Sequence, residues 1–184
     1  MGIILMKTYK SELIKAMKFL AKDKKTIFLG QSVAYPGNSM FNTLVGISDK
    51  KKIELPVFEE VQMGMSIGLA MEGYLPVTCY PRFDFLLLAM NQLINHLDKI
   101  RTMSGGDFKL KVIIRTAIGA KKPLDGGPQH TQDYTYSLKK MCKEIKVIKL
   151  NNTNKIFDTY KKIYNDKNNF SYIVIEDGDK FNKE

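Results

Sequence analysis

The chain has 184 residues, 44% hydrophobic and 26% charged, a balance that supports one domain with a buried core over residues 1–184 and excludes disordered and collagen-like classes. No stretch approaches the roughly 18 to 20 apolar residues of a membrane span, and Met1 to Met6 is too short for a secretion-signal core, so a cytoplasmic protein with no membrane partner is expected. The net charge of +10 permits nucleic-acid binding. However, the lysines are spread along the chain and are densest from Lys139 to Lys167, where they alternate with apolar positions as on a solvated helix face. No nucleic-acid partner is expected, although an acidic partner subunit could also meet this charge.

In chain order, Leu13, Ile14, Met17, Phe19 and Leu20 fall close to helical spacing, predicting a helix over Ser11 to Ala21. Thr26 to Leu29 reads as a buried strand closed by Gly30. Gly30 to Asn38 is loop chemistry, with two glycines and a proline, in the place where α/β proteins put their sites. A short helical stretch near Met40 to Val45 precedes a strand at Lys52 to Leu55, and Pro56 leads into an apolar helix that ends near Glu72 and is stopped by Gly73. Strands are predicted at Pro76 to Tyr80, Lys111 to Thr116, Val147 to Leu150 and Tyr172 to Ile175. Helices are predicted at Phe85 to Met103, Asp133 to Cys142 and Lys155 to Tyr164. This alternation implies right-handed crossovers and a doubly wound, mainly parallel α/β sheet covered on both faces, with the informative core at about residues 26–176. Cys79 and Cys142 are far apart and read as reduced thiols, not as a disulfide or a zinc site. The irregular stretch Ala117 to Gln132 is long enough to suggest function.

The helix after Pro56 carries Gly64 and Gly68 on one face. Each glycine costs a lone helix roughly 1 kcal/mol relative to alanine, so close packing against a neighbour, within the chain or across a subunit interface, is expected to offset them. Glu59, Gly64, Met65, Gly68 and Leu69 also fill, in order, a signature of glutamate, four residues, glycine, apolar residue, two residues, glycine and apolar residue. Other informative stretches are Phe83-Asp-Phe with Asn91-Gln-Leu-Ile-Asn95, Met103-Ser-Gly-Gly106, Ile114-Arg-Thr116 and Gly127-Pro-Gln-His-Thr-Gln132. Through these, the chain from Gly30 to Ile175 resembles the pyrimidine-binding domain of thiamine-diphosphate enzymes. It is most similar to the beta subunit of pyruvate and branched-chain 2-oxo acid dehydrogenases, and more distantly to transketolase.

The resemblance implies that Glu59 is the activating acid. Its carboxylate on the pyrimidine ring nitrogen would favour the imino tautomer of the cofactor, whose imino nitrogen can then remove the thiazolium proton. It implies that Phe85 packs against the aminopyrimidine with a contribution from Phe83, core packing being the alternative for both. It further implies that His130 faces the substrate and exchanges protons with intermediates. His96, by contrast, has no such support. Arg82 stands where related chains often carry an aromatic or apolar residue, which suggests an anionic substrate or a changed pocket wall. Gly30-Gln31-Ser32 replaces the Gly-Glu-Asp of relatives, so an acid expected near the site is absent.

By the same resemblance the chain is a stand-alone pyrimidine domain without the C-terminal domain of those relatives. It is expected to share thiamine diphosphate with a separate, alpha-like diphosphate-binding subunit in an alpha2beta2 assembly. That subunit would hold the Mg2+, and no metal ligand is assigned to this chain. Asp125-Gly126 followed by Asn151-Asn152 imitates the family's metal element in spacing, but Leu124 replaces its first glycine. The expected chemistry is decarboxylation or acyl transfer on a 2-oxo acid, a small carbonyl substrate. The alternatives are a transketolase-like or acetolactate-synthase-like carboligase subunit, or a non-catalytic interaction subunit that retains the fold.

Overall fold

A computed structural model describes residues 7–122 and 125–181. The readings that rest on Met1 to Met6 and on Leu124 lie outside the described residues. The chain begins with helix α1 (Tyr9–Leu20), opened by a capping box in which Thr8 and Ser11 bond each other's backbone amides. Strand β1 (Thr26–Gly30) follows, then a loop, β2 (Lys52–Glu54), α2 (Glu59–Met71) and β3 (Leu75–Tyr80). After α3 (Phe83–Leu86) and further helical turns to α4 (Ile100–Met103) come β4 (Ile113–Ile118), α5 (Thr135–Met141), β5 (Lys146–Lys149), α6 (Ile156–Tyr164) and β6 (Tyr172–Asp177).

All pairings in the sheet are parallel, in the order β2-β1-β3-β4-β6-β5. Its strands read as continuous apolar runs because each face is covered, and alternate side chains enter different cores. Phe28, Val77, Ile113 and Val174 join Leu13 and Met17 of α1 and Ile156 and Tyr160 of α6. Ile114, Ile173 and Ile175 join Met63 and Ile67 of α2, Leu86, Leu93 and Leu138 of α5. Burying each such side chain contributes about 1.5–3 kcal/mol. No helix among the described residues is long and apolar enough to cross a membrane. The lysines from Lys139 to Lys167 are exposed.

One predicted helix needs correction. The stretch Phe85 to Met103 is helical in path but not in one ladder: α3 runs into a 3-10 turn at Leu87–Ala89, π-helical turns at Asn91–Leu97 and then α4. The amide of Asp98 reaches back five residues to the carbonyl of Leu93. The apolar run through Leu86, Leu87, Leu88, Ala89 and Met90 offers no single helical face. The wider turns keep Ala89, Leu93 and Leu97 on the core while Leu87 and Leu88 stay exposed.

Gly30 ends β1 at a point that only glycine can occupy. Its φ is +145°, and a Cβ there would lie 2.4 Å from the carbonyl oxygen of Cys79 on β3. The chain can therefore leave the sheet sharply and form the loop that supports the site.

Candidate active site

The carboxyl ends of β1 and β3 meet at Glu59, the first residue of α2. Glu59 is only 5% exposed. A first-turn acid favours the positive end of a helix, and two neighbours fix this one. The Gln31 Nε2 amide donates to Glu59 Oε1 at 3.0 Å, and the Tyr80 hydroxyl donates to the Glu59 main-chain carbonyl at 3.1 Å. Burial pushes the Tyr80 phenol up, so it stays a donor through the ordinary pH range. One turn further on, the Gln62 Nε2 amide reaches Thr78 Oγ1 at 2.8 Å and the Cys79 carbonyl at 3.0 Å, tying α2 to β3. Among the described residues no donor reaches Glu59 Oε2.

Gln31 is thus a direct neighbour of Glu59. A second carboxylate in that place would repel the first, whereas the amide donates a hydrogen bond to it. Glu54, which drew no attention in the sequence, organises the same loop from the end of β2. Its carboxylate accepts the amides of Ser32, Val33 at 2.9 Å and Ala34 at 2.8 Å, with Ser32 held at φ +52°. An acid two residues before a proline, ending a short strand, was the available signal, and it is a weak one.

On the β3–α3 side, Phe85 is half-buried and meets the His130 ring edge-on, with centroids 5.5 Å apart. His130 Nδ1 is enclosed without a hydrogen-bond partner among the described residues. Arg82 fastens this loop: its Nη1 donates to the carbonyls of His130 at 2.9 Å and Gly119 at 3.1 Å. The loop packs closely enough that a Cβ on Gly126 would lie 2.7 Å from His130 Cβ and 2.8 Å from Arg82 Nη1.

Two expectations change. Phe83 has no exposed surface and packs edge-on against Tyr134 with centroids 5.5 Å apart, so its place is the core and not a ligand-facing wall. Of the two neighbours expected for the α2 glycines, one within the chain or one across an interface, the described residues do not supply the first. A Cβ on Gly68 would meet nothing within 4 Å, and one on Gly64 would only touch the Gln92 carboxamide at 4.0 Å. Val61 and Met65 on the same face are exposed. His96 is exposed, away from the cluster just described.

The donor set suits a heteroaromatic ring better than a metal. Glu59 offers a buried carboxylate with one oxygen free, and Phe85 and His130 offer an aromatic wall. Among the described residues no group of three or more His, Cys, Asp or Glu could hold a metal ion. Asp125 and Asn152, the pair that imitates a magnesium element in spacing, are both engaged in local turns. Asp125 accepts the Gly127 amide at 2.8 Å and Asn152 the Asn154 amide at 2.9 Å.

Comparison with known proteins bears on this geometry. The family described as "Transketolase, pyrimidine binding domain" matches residues 6–179. The chain belongs to that family. It is a domain of thiamine-diphosphate enzymes, and the six parallel strands with helices on both faces agree with its fold. Relatives include the pyruvate dehydrogenase E1 component subunit beta of Cyanidium caldarium, 34% identical over 61% of this chain and 35% of the relative. Subunit beta-4 of the same component from Oryza sativa subsp. japonica, chloroplastic, is 31% identical over 71% of this chain and 32% of the relative. The chain therefore spans about a third of the length of these curated relatives. Among solved structures, a split gene transketolase described as an inactive beta4 tetramer superposes with a TM-score of 0.68 over 93% of this chain and 51% of that one. At 16% identity this is a likeness of fold.

Proposed function

We propose that this pyrimidine-binding domain is half of a shared-site thiamine-diphosphate enzyme, completed by a separate alpha-like subunit in an alpha2beta2 assembly. The observation that carries the reading is the Glu59 carboxylate, buried at the start of α2, held on one oxygen by Gln31 and open on the other. In this reading Glu59 would hold the pyrimidine ring nitrogen through Oε2 and keep or release a proton there, and Phe85 would support the ring. When bound, thiamine diphosphate supplies the carbanion chemistry. His130, half-buried and with Nδ1 unpartnered among the described residues, would give or take a proton at the substrate. In this reading Mg2+ and the diphosphate are assigned to the partner subunit, where a set of hard oxygen ligands would hold the metal.

The substrate in this reading is a 2-oxo acid undergoing decarboxylation and acyl transfer, a choice supported by the pyruvate dehydrogenase beta relatives. Calorimetry with thiamine diphosphate and Mg2+, on this chain, on a candidate partner and on their mixture, tests the shared site. Binding confined to the mixture is expected, and tight binding by this chain alone would overturn the proposal. Product analysis of the reconstituted enzyme with 2-oxo acids and ketose phosphates then separates decarboxylation from two-carbon transfer.

A further inference from the structure

The sequence contains three arginines, and two of them face carboxylates: Arg115 meets Glu176 at 2.8 Å and Arg101 meets Glu144 at 3.6 Å. Arg82 has none within ion-pair distance among the described residues, although it is half-buried. Its two carbonyl bonds both use Nη1. A guanidinium has five N–H donors, so Nε and Nη2 retain about three without a protein acceptor among the described residues. A partly desolvated cation with unused donors favours an anion, most strongly one that can take two parallel hydrogen bonds.

Beside Arg82 lies a cavity of about 160 Å³ at the carboxyl ends of β3, β4 and β6, closed by residues 37–40 of the loop after β1. Gly37, Gly119 and Gly178 leave backbone as much of its wall, and Asn38 and Ala120 also line it. None of Glu59, Phe85 and His130 does, so the cavity adjoins the site described above through Arg82. Of the acids near it, Asp177 pairs with Lys180 at 2.9 Å, and Asp179 Oδ1 accepts the amides of Lys121 at 2.7 Å and Lys122 at 3.3 Å, while Asp179 Oδ2 lies on the Gly119 side.

We propose that this cavity is an oxyanion subsite that takes a phosphate or carboxylate group on Arg82, and that the group is the anionic end of the substrate. The same guanidinium would then join the ligand to the His130 loop, so that filling the subsite steadies the proton-transfer residue. The second half of the proposal rests on the shared-site reading, whereas anion binding by this chain does not.

The test titrates the full-length chain with inorganic phosphate at constant ionic strength, followed by calorimetry and phosphorus NMR. Saturable one-to-one binding is expected. It should weaken at least tenfold in Arg82→Met and also in Ala120→Leu, which fills the cavity while leaving the arginine in place. It should be unchanged in Lys139→Met, which removes an exposed charge elsewhere. Absence of saturable binding, or equal binding by all four proteins, overturns the subsite. In the reconstituted enzyme, phosphate should raise the KM of an anionic substrate and leave kcat alone. A lack of competition would overturn the substrate assignment. Failure of the shared-site reading itself appears separately, as no thiamine-diphosphate binding by the mixture with phosphate binding intact.

Discussion

Two buried glutamates lie at the carboxyl side of the same sheet and are treated in opposite ways. Glu176 on β6 is fully enclosed and saturated: Arg115 Nε and Nη2 reach its two oxygens at 2.9 and 2.8 Å, the Tyr160 hydroxyl bonds Oε1, and Thr43 Oγ1 accepts from Arg115 Nη2 at 3.0 Å. Burial works against the charge of Arg115, and Glu176 more than offsets it, while burial and the glutamate push the Tyr160 phenol up. Glu59 is nearly as enclosed, yet Gln31 satisfies only one of its oxygens. A carboxylate whose lone pairs are all used can only hold structure. One left half-satisfied in an enclosed place is available to a ligand.

The largest expected effect separates these roles. Arg115→Met leaves the Glu176 charge buried and uncompensated, and should lower stability by about 3–5 kcal/mol in urea denaturation. The double variant Arg115→Met with Glu176→Leu should recover much of that loss, because the stranded charge goes with its partner. Glu59→Gln should do the reverse. It should change stability by less than about 1 kcal/mol and reduce activity of the reconstituted enzyme by about 10²–10⁴-fold. If Glu59→Gln unfolds the chain as Arg115→Met does, or leaves the complex fully active, the contrast collapses and Glu59 is structural.

Asp98 sharpens the comparison from the saturated side. Its side chain has no exposed surface, and its oxygens accept the amides of Lys143, Glu144 and Ile145 at 2.9, 2.9 and 3.0 Å, with Lys99 Nζ at 2.7 Å. Burial alone would raise its proton affinity, but these donors outweigh burial and hold the carboxyl below the ordinary aspartate range. A depressed folded-state value contributes stability that is present above the unfolded value of about 3.9 and lost as pH falls through the folded one. Asp98→Asn should therefore cost about 2 kcal/mol at neutral pH and flatten the fall in stability below about pH 4. An unchanged acid limb would assign that limb to other carboxylates.

The strands and most helices were legible because their physics is local and periodic. Apolar runs such as Ile113-Ile114 and Ile173-Val174-Ile175 can only be strands buried on both faces. The π turns at Asn91–Leu97 were not legible, since they depend on which of five successive apolar residues the core accepts. In the site, Glu59, Phe85 and His130 could be named from ordered motifs. The contact between Gln31 and Glu59 spans 28 residues, and Arg82's clamp on His130 spans 48. Both are set by the sheet order, which places β3 between β1 and β4 and which a single sequence does not state. Phe83 and Phe85 are indistinguishable in composition, and only the turn of α3 sends one to the core and the other to the His130 ring.

The smallest effect concerns a face and not a charge. Gly68 lies mid-helix in α2, exposed, with nothing within 4 Å of where a Cβ would stand. Helix propensity alone predicts that Gly68→Ala stabilises the isolated chain by about 0.5–1 kcal/mol, because alanine loses less backbone entropy on folding. A glycine kept at that cost within a face shared with exposed Val61 and Met65 points to a backbone brought close from outside the chain. The same alanine should then weaken self-association or association with a partner, read as molar mass by static light scattering across a dilution series. A chain that gains stability and assembles as before would leave the glycine unexplained and remove α2 from any interface. A chain that gains stability and falls apart on dilution would place the cost of the glycine in the assembly, on the helix that begins with the half-satisfied Glu59 carboxylate.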